Sequence, residues 1–313
     1  MHELRRTRRT PWFPHSVLLL SLALAVASSL AASDSALAVP KEVAAANNEE
    51  SSWSPDSKRI AFDSDRVGKH FSIYKLDIVS GTIVRLTESD SDDITAAFSL
   101  DGRRIAFSSD RTGHNQIYVM EADGRNVRRI TQDNSDDIHP SWSPDGKLII
   151  YCSARDNPNQ SKAAEGERYE TYTVHRDGSD DHRLTNLGGI NTYPNYSPDG
   201  KKIAFRKVLP PKNSEVWVMN ADGSDSKNLT NNSAFDGWPF WSPDGTNIVF
   251  ASNRAGTYDI YTMNADGSSP QRLTDQHARC TSPKWSPDGK KISFDCSKDR
   301  HVAILTIDAV ASR

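Results

Sequence analysis

A tandem repeat constrains this sequence more than any other feature. Six segments carry an aromatic residue followed by Ser-Pro-Asp-Gly or a close variant, and they begin at Trp53, Phe98, Trp142, Tyr196, Trp241 and Trp285. Successive aromatic residues are separated by 45, 44, 54, 45 and 44 positions. A fixed period in this range is typical of proteins built from repeated structural units, so the period decides the architecture.

Each repeat contains four strand signals separated by turn residues. The aromatic residue ends the first strand, and the Pro-Asp-Gly turn, in which Pro fixes φ and Gly accepts a positive φ, leads into the second. Third strands such as residues 117–120 are followed by Ala-Asp-Gly hairpin signals at 122, 221 and 265. Four antiparallel strands in each of six repeats predict an all-β fold, a six-bladed β-propeller of four-stranded antiparallel blades.

The last repeat is one strand short, because the fourth-strand signal ending in Leu-Thr or Ile-Thr occurs only five times. We predict that a segment within residues 38–47 supplies the missing strand and closes the ring, which would remove the exposed sheet edges. The alternative, an open solenoid, leaves the shortened last repeat unexplained.

The first 38 residues have the pattern of a secretory signal peptide. Four arginines precede an apolar run at residues 17–27, and Ala36-Leu37-Ala38 is an A-x-A cleavage signal. The run is shorter than the roughly 20 apolar residues that a membrane span needs. We therefore predict cleavage after Ala38 and a periplasmic or secreted propeller domain over residues 39–313, without membrane association; an uncleaved anchor is the alternative.

Charge and composition exclude several classes of protein. The chain has 38 basic and 41 acidic residues, a formal net charge of −3, so it lacks the basic footprint of nucleic-acid-binding proteins. With 36% hydrophobic residues it is not a disordered chain. We expect a folded monomer that does not bind nucleic acid.

The six repeats resemble the WSPDG repeats of TolB-like β-propellers, a family of exported bacterial proteins. The resemblance covers about residues 49–308. It implies a protein-binding or scaffolding module with a protein partner at the cell envelope. Related peptidases carry a Gly-x-Ser-x-Gly nucleophile elbow, which this sequence lacks, so we expect no peptidase activity.

Oxygen-bearing side chains recur five residues before the aromatic position, where each inner strand is predicted to start. They are Asn48, Asp93, Asp137, Asn191 and Asp236, with Cys280 in the last repeat. Loops at this end of the strands converge around the channel mouth, and ligands bind at such concave sites. Asp93, Asp137 and Asp236 are therefore candidate ligands of a divalent cation, and we expect no other cofactor. The alternative is that each residue caps its own turn.

Three residues before the aromatic position the repeats differ, as expected for a surface that recognises one partner. His139, Tyr193 and Trp238 are candidates to bind a partner, or to stack on a small carbohydrate or peptide ligand. Ordinary packing between blades is the alternative, because burying aromatic rings is strongly favourable. His139 alone does not indicate catalysis.

A propeller enzyme is the second functional hypothesis. A carbohydrate lyase or hydrolase at the channel mouth, with or without a metal ion, would need acid and base groups that converge. The sequence offers only scattered candidates for this role: Asp93, Asp137, Asp236 and His139. We therefore name no catalytic residue and favour a binding module over an enzyme.

The cysteines are consistent with export. If residues 287–289 form a three-residue hairpin loop with Ser286 opposite Lys290, then Cys280 lies opposite Cys296. In an oxidising compartment this pair can form a disulfide, and two separate thiols are the alternative. Cys152 would be a buried single thiol.

The 54-residue spacing marks an insertion at residues 154–168, in the loop between the second and third strands of the third repeat. A long loop on a regular scaffold is often functional. Its polar composition is equally typical of plain disorder.

Overall fold

The computed structural model of this protein describes residues 46–156, 168–209, 213–298 and 301–309. Within these ranges the chain forms 23 β-strands and no helix, arranged in six antiparallel sheets. Each sheet is one blade of a β-propeller, and the predicted all-β, six-bladed fold is confirmed. The predicted signal peptide and its cleavage site at Ala38 lie outside the described residues.

The first three blades follow one another along the chain. Blade 1 contains β1 (Asn48–Trp53), β2 (Arg59–Ser64), β3 (Ser72–Asp77) and β4 (Ile83–Arg85). Blade 2 contains β5 (Asp93–Phe98), β6 (Arg104–Ser109), β7 (Gln116–Glu121) and β8 (Arg128–Arg129). Blade 3 contains β9 (Asp137–Trp142), β10 (Leu148–Ser153), β11 (Glu170–His175) and β12 (His182–Arg183).

The second half repeats this order. Blade 4 contains β13 (Ile190–Tyr196), β14 (Lys202–Leu209), β15 (Asn213–Asn220) and β16 (Lys227–Asn228). Blade 5 contains β17 (Asp236–Trp241), β18 (Asn247–Ser252), β19 (Asp259–Asn264) and β20 (Gln271–Arg272). Blade 6 contains β21 (Arg279–Trp285), β22 (Lys291–Lys298) and β23 (His301–Asp308).

The Ser-Pro-Asp-Gly motif forms the hairpin between the first and second strands. In blade 1 the Ser54 hydroxyl bonds to Asp56 at 2.5 Å and also accepts the backbone N–H of Arg59 at 2.9 Å. The same Ser–Asp bond occurs in all six blades. Because these bonds are local, the motif specifies its turn without help from the rest of the fold.

The hydrophobic core lies between blades. Phe107 and Tyr118 of blade 2 pack with Ile73 and Leu86 of blade 1 in one buried cluster, and Trp142 of blade 3 packs with the next face of blade 2. Each blade therefore buries its apolar faces against its neighbours, and no blade has a complete core of its own.

The last blade contacts the first directly. Ile304 of β23 packs against the buried cluster of blade 1, and Trp53 Nε1 donates to Ser293 Oγ at 2.9 Å. Blade 6 has three strands among the described residues. The predicted closing strand falls mostly on residues 38–45, outside the described ranges, and Ala46 and Asn47 belong to no strand. Closure by such a strand stays a prediction.

Every inner strand carries a β-bulge. In blade 1, two residues, Glu50 and Ser51, lie opposite one residue of β2, and the register shifts at the equivalent place in the other five blades. The second bulge residue is proline in four blades, at 140, 194, 239 and 283. Proline is tolerated at bulges because a ladder hydrogen bond is already missing there.

Candidate functional site

Two of the three carboxylates at the starts of the inner strands, Asp93 and Asp236, are buried and bonded to an arginine of their own blade. Asp93 is fully buried and accepts hydrogen bonds from Arg111 Nη2 at 2.7 Å and from the Ser89 hydroxyl at 2.9 Å. Asp236 has the equivalent contacts, with Arg254 Nη2 at 2.9 Å and Asn232 Nδ2 at 2.5 Å. In each case a basic side chain of the same blade already neutralises the carboxylate.

Asp137 differs from the other two carboxylates in its charge environment. Its nearest basic atom, Arg155 Nη2, is 3.5 Å from Oδ2 and also pairs with Asp133 at 2.8 Å. Burial raises the pKa of Asp137 to about 7, and hydrogen bonding from Ser153 and the charge of Arg155 oppose this rise only in part. Asp137 is therefore partly protonated at neutral pH.

Asn191 bonds instead to residues that precede its own blade, blade 4. Its Nδ2 donates to the backbone oxygens of Tyr169 at 2.9 Å and Gly188 at 3.2 Å. None of the four predicted residues at this position, Asp93, Asp137, Asn191 and Asp236, lines either of the two cavities described next.

The residues three before each aromatic position face the channel. They are Glu50, Thr95, His139, Tyr193, Trp238 and Ser282, which we call the channel ring, and each is the first residue of its bulge. All six have positive φ, between 51° and 57°. This conformation is uncommon and costly for a residue other than glycine, and such strain is concentrated at functional sites. The bulge reorients these side chains towards the channel.

Two cavities meet at the channel ring. The larger, about 510 Å³, extends towards the Ser-Pro-Asp-Gly turns, and its lining includes Leu100, Pro144 and Pro198. The smaller, about 230 Å³, lies towards the strand starts of blades 6 and 1. Glu50 and Tyr193 line both cavities.

The structure brings together the three residues predicted to bind a partner, which are His139, Tyr193 and Trp238. The His139 and Tyr193 rings have centroids 3.8 Å apart, and Tyr193 and Trp238 have centroids 5.7 Å apart. The Arg206 guanidinium carbon lies 5.6 Å from the Tyr193 ring centroid and 5.5 Å from that of Trp238. Burial, and then the charge of Arg206, lowers the pKa of His139 to about 3, so this histidine is neutral at physiological pH.

The opposite part of the ring is acidic. Glu50 lies near Asp295 and Asp63, which come from the second strands of blades 6 and 1. Burial raises the pKa of each of these carboxyl groups. Among the opposing charges, Lys284 acts most strongly on Glu50, and its ammonium nitrogen lies 4.8 Å from the Phe240 ring centroid. The channel thus has an aromatic half in blades 3–5 and an acidic half in blades 6 and 1.

Sequence reasoning missed the acidic half. The spacing that identified His139 also identifies Glu50, three residues before Trp53. Asp63, Arg206 and Asp295 carry no such signal, because their approach to the channel depends on the register between the first and second strands.

Cys280 and Cys296 are register partners in blade 6, and the structure joins their sulfur atoms as a disulfide. The predicted three-residue loop behind this pairing is wrong. Ser286 N donates to Lys291 O at 2.8 Å, so the loop is one residue longer. The bulge after Thr281 adds one residue to β21 and restores the alignment of the cysteines. Cys152 is buried and has a free thiol.

Most of the insertion lies outside the described residues, which omit 157–167. Arg155, at its start, bonds to Asp181 at 2.9 Å, and the guanidinium carbon lies 4.3 Å from the Tyr172 ring centroid. The first residues of the insertion are thereby attached to blade 3.

No group of three or more His, Cys, Asp or Glu side chains in the described residues is arranged to hold a metal ion. In the same residues, no helix has the length and apolar character needed to cross a membrane.

The fold and the channel define a class of protein, a six-bladed β-propeller with a lined central channel. The chain belongs to the TolB β-propeller family. The family described as "TolB beta propeller domain" matches residues 41–171 and 173–313, nearly the whole length after the predicted signal. No curated protein matches the chain significantly in sequence.

Solved structures agree with this assignment. TolB from Acinetobacter baumannii is 26% identical with a TM-score of 0.64, over 76% of this chain and 57% of that one. A putative TolB from Agrobacterium tumefaciens is 26% identical with a TM-score of 0.65, over 84% and 91% of the two chains. This chain therefore spans little more than half the length of the Acinetobacter protein.

An enzyme also shares the fold. Oligogalacturonate lyase from Vibrio parahaemolyticus is 16% identical with a TM-score of 0.58, over 85% of this chain and 90% of that one. At this identity the likeness concerns the fold alone.

Proposed function

We propose that this protein is an exported TolB-like propeller that binds a partner protein at the cell envelope through the mouth of its channel. The observation that carries the proposal is the channel ring. Six different residue types, from acidic to hydroxyl-bearing to aromatic, occupy equivalent, strained positions around one opening. A scaffold requirement would favour the same residue at each position, whereas recognition of one partner requires different residues.

The aromatic half of the ring supports protein recognition. Tyrosine, tryptophan and arginine are the residues that contribute most to binding at protein interfaces, and Tyr193, Trp238 and Arg206 lie together here. The disulfide between Cys280 and Cys296 supports export, because disulfides persist in oxidising compartments.

The carbohydrate lyase hypothesis has less support. The candidate carboxylates Asp93 and Asp236 are held by arginines of their own blades, outside both cavities. His139 is next to aromatic rings, with its pKa lowered to about 3. A general acid or base at neutral pH works best with a pKa near 7. Asp137 has such a pKa, about 7, but it is fully buried and lines neither cavity.

Affinity capture from an envelope extract of the host tests the proposed function. The exported wild-type protein, a Trp238→Ala variant and a Val79→Ala variant are compared as bait. Val79 is 82% exposed and serves as a control for an apolar truncation at the surface. Because Trp238 is 6% exposed and packs in a buried cluster, thermal melting first checks that Trp238→Ala folds. We expect one protein to be retained by the wild type and by Val79→Ala, and at least tenfold less of it by Trp238→Ala. Equal retention by all three baits contradicts the proposed site.

A further inference from the structure

The smaller cavity has a distinct chemical character. Glu49, Glu50 and Asp295 line it together with Ser282, and the rings of Tyr193 and Trp238 from blades 4 and 5 complete it. We call this cavity the acidic pocket. Its volume of about 230 Å³ is several times the ~30 Å³ that one water molecule occupies in the liquid.

Carboxyl groups outnumber basic side chains around the acidic pocket. Burial, and then the charges of Glu50, Glu49 and Asp295, raise the pKa of Asp63, which lies behind the ring. Four carboxyl groups therefore influence one another at this pocket. Lys284, Arg206 and Arg279 are the opposing charges that act on Glu49 and Glu50. His139, on the far side of the ring, is neutral because its pKa is lowered to about 3.

One carboxylate oxygen in the pocket has no partner. Asp295 is 4% exposed, and its Oδ2 accepts the backbone N–H of Glu50 at 2.9 Å. Its Oδ1 is buried and accepts no hydrogen bond from any described residue. A buried acceptor without a donor is costly, so a ligand that donates a hydrogen bond here is favoured.

The pocket suits an organic cation better than a bare metal ion. No group of three or more His, Cys, Asp or Glu side chains among the described residues, the acidic pocket included, is arranged to hold a metal ion. Aromatic rings, which attract ammonium and guanidinium groups through their faces, form part of the wall. The protein itself makes such a contact at the edge of the pocket. The Arg279 guanidinium carbon lies 5.6 Å from the Trp238 ring centroid and 5.1 Å from that of Tyr258.

We propose that the acidic pocket receives a lysine or arginine side chain of the partner protein. The cationic group donates hydrogen bonds to Asp295 Oδ1 and Glu50, and it lies beside the rings of Tyr193 and Trp238. This inference rests on the proposed function, since it names the chemistry by which the channel mouth recognises its partner.

Titration with small probes tests the pocket without the partner. The probes are N-acetyl-lysine amide and N-acetyl-arginine amide, and N-acetyl-citrulline amide is the neutral match for arginine. Binding to the full exported chain is measured by NMR for the wild type and for Asp295→Asn, Glu50→Gln and Asp123→Asn. Asp123 is an exposed turn residue of blade 2 and serves as the control.

We expect a cationic amide to bind the wild type and Asp123→Asn, and the citrulline amide to bind at least tenfold more weakly. Asp295→Asn and Glu50→Gln should each weaken cation binding at least tenfold. Both changes preserve side-chain shape, and thermal melting of the variants checks that they fold. Equal binding of citrulline and arginine amides overturns the proposal. So does binding of calcium chloride in the absence of amide binding, which would indicate a metal site.

The capture experiment separates the two proposals. A partner retained by the wild type, lost by Trp238→Ala and unaffected by both Asp295→Asn and Glu50→Gln overturns the cationic contact while the proposed function stands. Amide binding that depends on Asp295, without any captured partner, supports the pocket and counts against the proposed function.

Discussion

Arg111 Nη2 lies 2.7 Å from Oδ1 of the fully buried Asp93, while its guanidinium carbon lies 4.8 Å from the Tyr118 ring centroid. Blade 5 repeats the arrangement with Arg254 and Asp236. Blade 1 has the neutral version, in which Arg66 Nη2 donates to Asn48 Oδ1 at 2.7 Å. The arginine thus joins the start of the inner strand to the second and third strands of the same blade.

Removing the acid should destabilise the fold. In Asp93→Ala, Arg111 loses its buried partner, and we expect the free energy of unfolding to fall by about 2–3 kcal/mol, since Arg111 retains some solvent. Asp93→Asn reproduces the residue that blade 1 uses and should cost less than about 1 kcal/mol. Urea unfolding measures both variants. Equal losses for the two would show that the hydrogen bond to arginine is not what Asp93 provides.

Two glycines of blade 2 separate backbone strain from crowding between blades. Both have strongly positive φ, 99° at Gly113 and 92° at Gly124. A Cβ on Gly113 meets nothing, whereas a Cβ on Gly124 lies 2.6 Å from the backbone oxygen of Leu86 in blade 1.

We expect Gly113→Ala to cost about 1 kcal/mol from strain, and Gly124→Ala about 2–4 kcal/mol because the two blades must also move apart. Thermal unfolding of the two variants gives the comparison. If Gly124→Ala were as stable as Gly113→Ala, the separation between Gly124 and Leu86 would have to be larger than in the structure.

Ser57 occupies a position where the other five repeats have glycine, and its φ is 57°. Ser57→Gly removes this strain but loses the 3.1 Å bond that the hydroxyl accepts from Asp288 N, which is exposed. We expect a net gain of about 0.5–1 kcal/mol in stability. The reverse change in blade 2, Gly102→Ser, should cost a similar amount. A lower melting temperature for Ser57→Gly would mean that the contact between blades 1 and 6 outweighs the strain.

Asp137 should make stability depend on pH. Burial raises its pKa in the folded protein to about 7, from an ordinary value of 3.8. The folded state therefore holds this proton more tightly than the unfolded state, so its stabilising contribution is complete below about pH 4 and is lost as pH rises through 7.

Comparison with Asp137→Asn isolates this contribution. Between pH 4.5 and pH 8.5 the stability of the wild type relative to the variant should fall by about 3 kcal/mol, at 1.36 kcal/mol per pKa unit. Urea unfolding at a series of pH values gives the difference directly. Parallel curves for the two proteins would mean that Asp137 ionises as freely in the fold as in the unfolded chain.

The disulfide should contribute to stability by restricting the unfolded chain. Cys280 and Cys296 are 16 residues apart, and a loop of this size corresponds to about 3 kcal/mol, or roughly 6–12 °C in melting temperature for a domain this large. Melting of the Cys152→Ala variant with and without dithiothreitol measures the effect, because this variant has no other cysteine. A melting temperature that is insensitive to the reductant would contradict the prediction.

The sequence by itself determined the number of blades and the position of each turn. The reason is physical: Ser54 bonds to both Asp56 and the backbone of Arg59 within six residues, so a short motif specifies the same hairpin wherever it occurs. The same periodicity located His139, Tyr193 and Trp238 at equivalent positions, and the structure places them in contact.

Only the tertiary structure decided which charges meet in the channel. Glu50 N bonds to Asp295 across 245 positions of sequence, and this contact exists because blade 6 packs against blade 1. The bulge that turns Glu50 towards the channel also sets the register that places Asp63 and Asp295 behind it. Contacts made by closing a ring of blades depend on the whole chain, whereas turn chemistry depends on six consecutive residues.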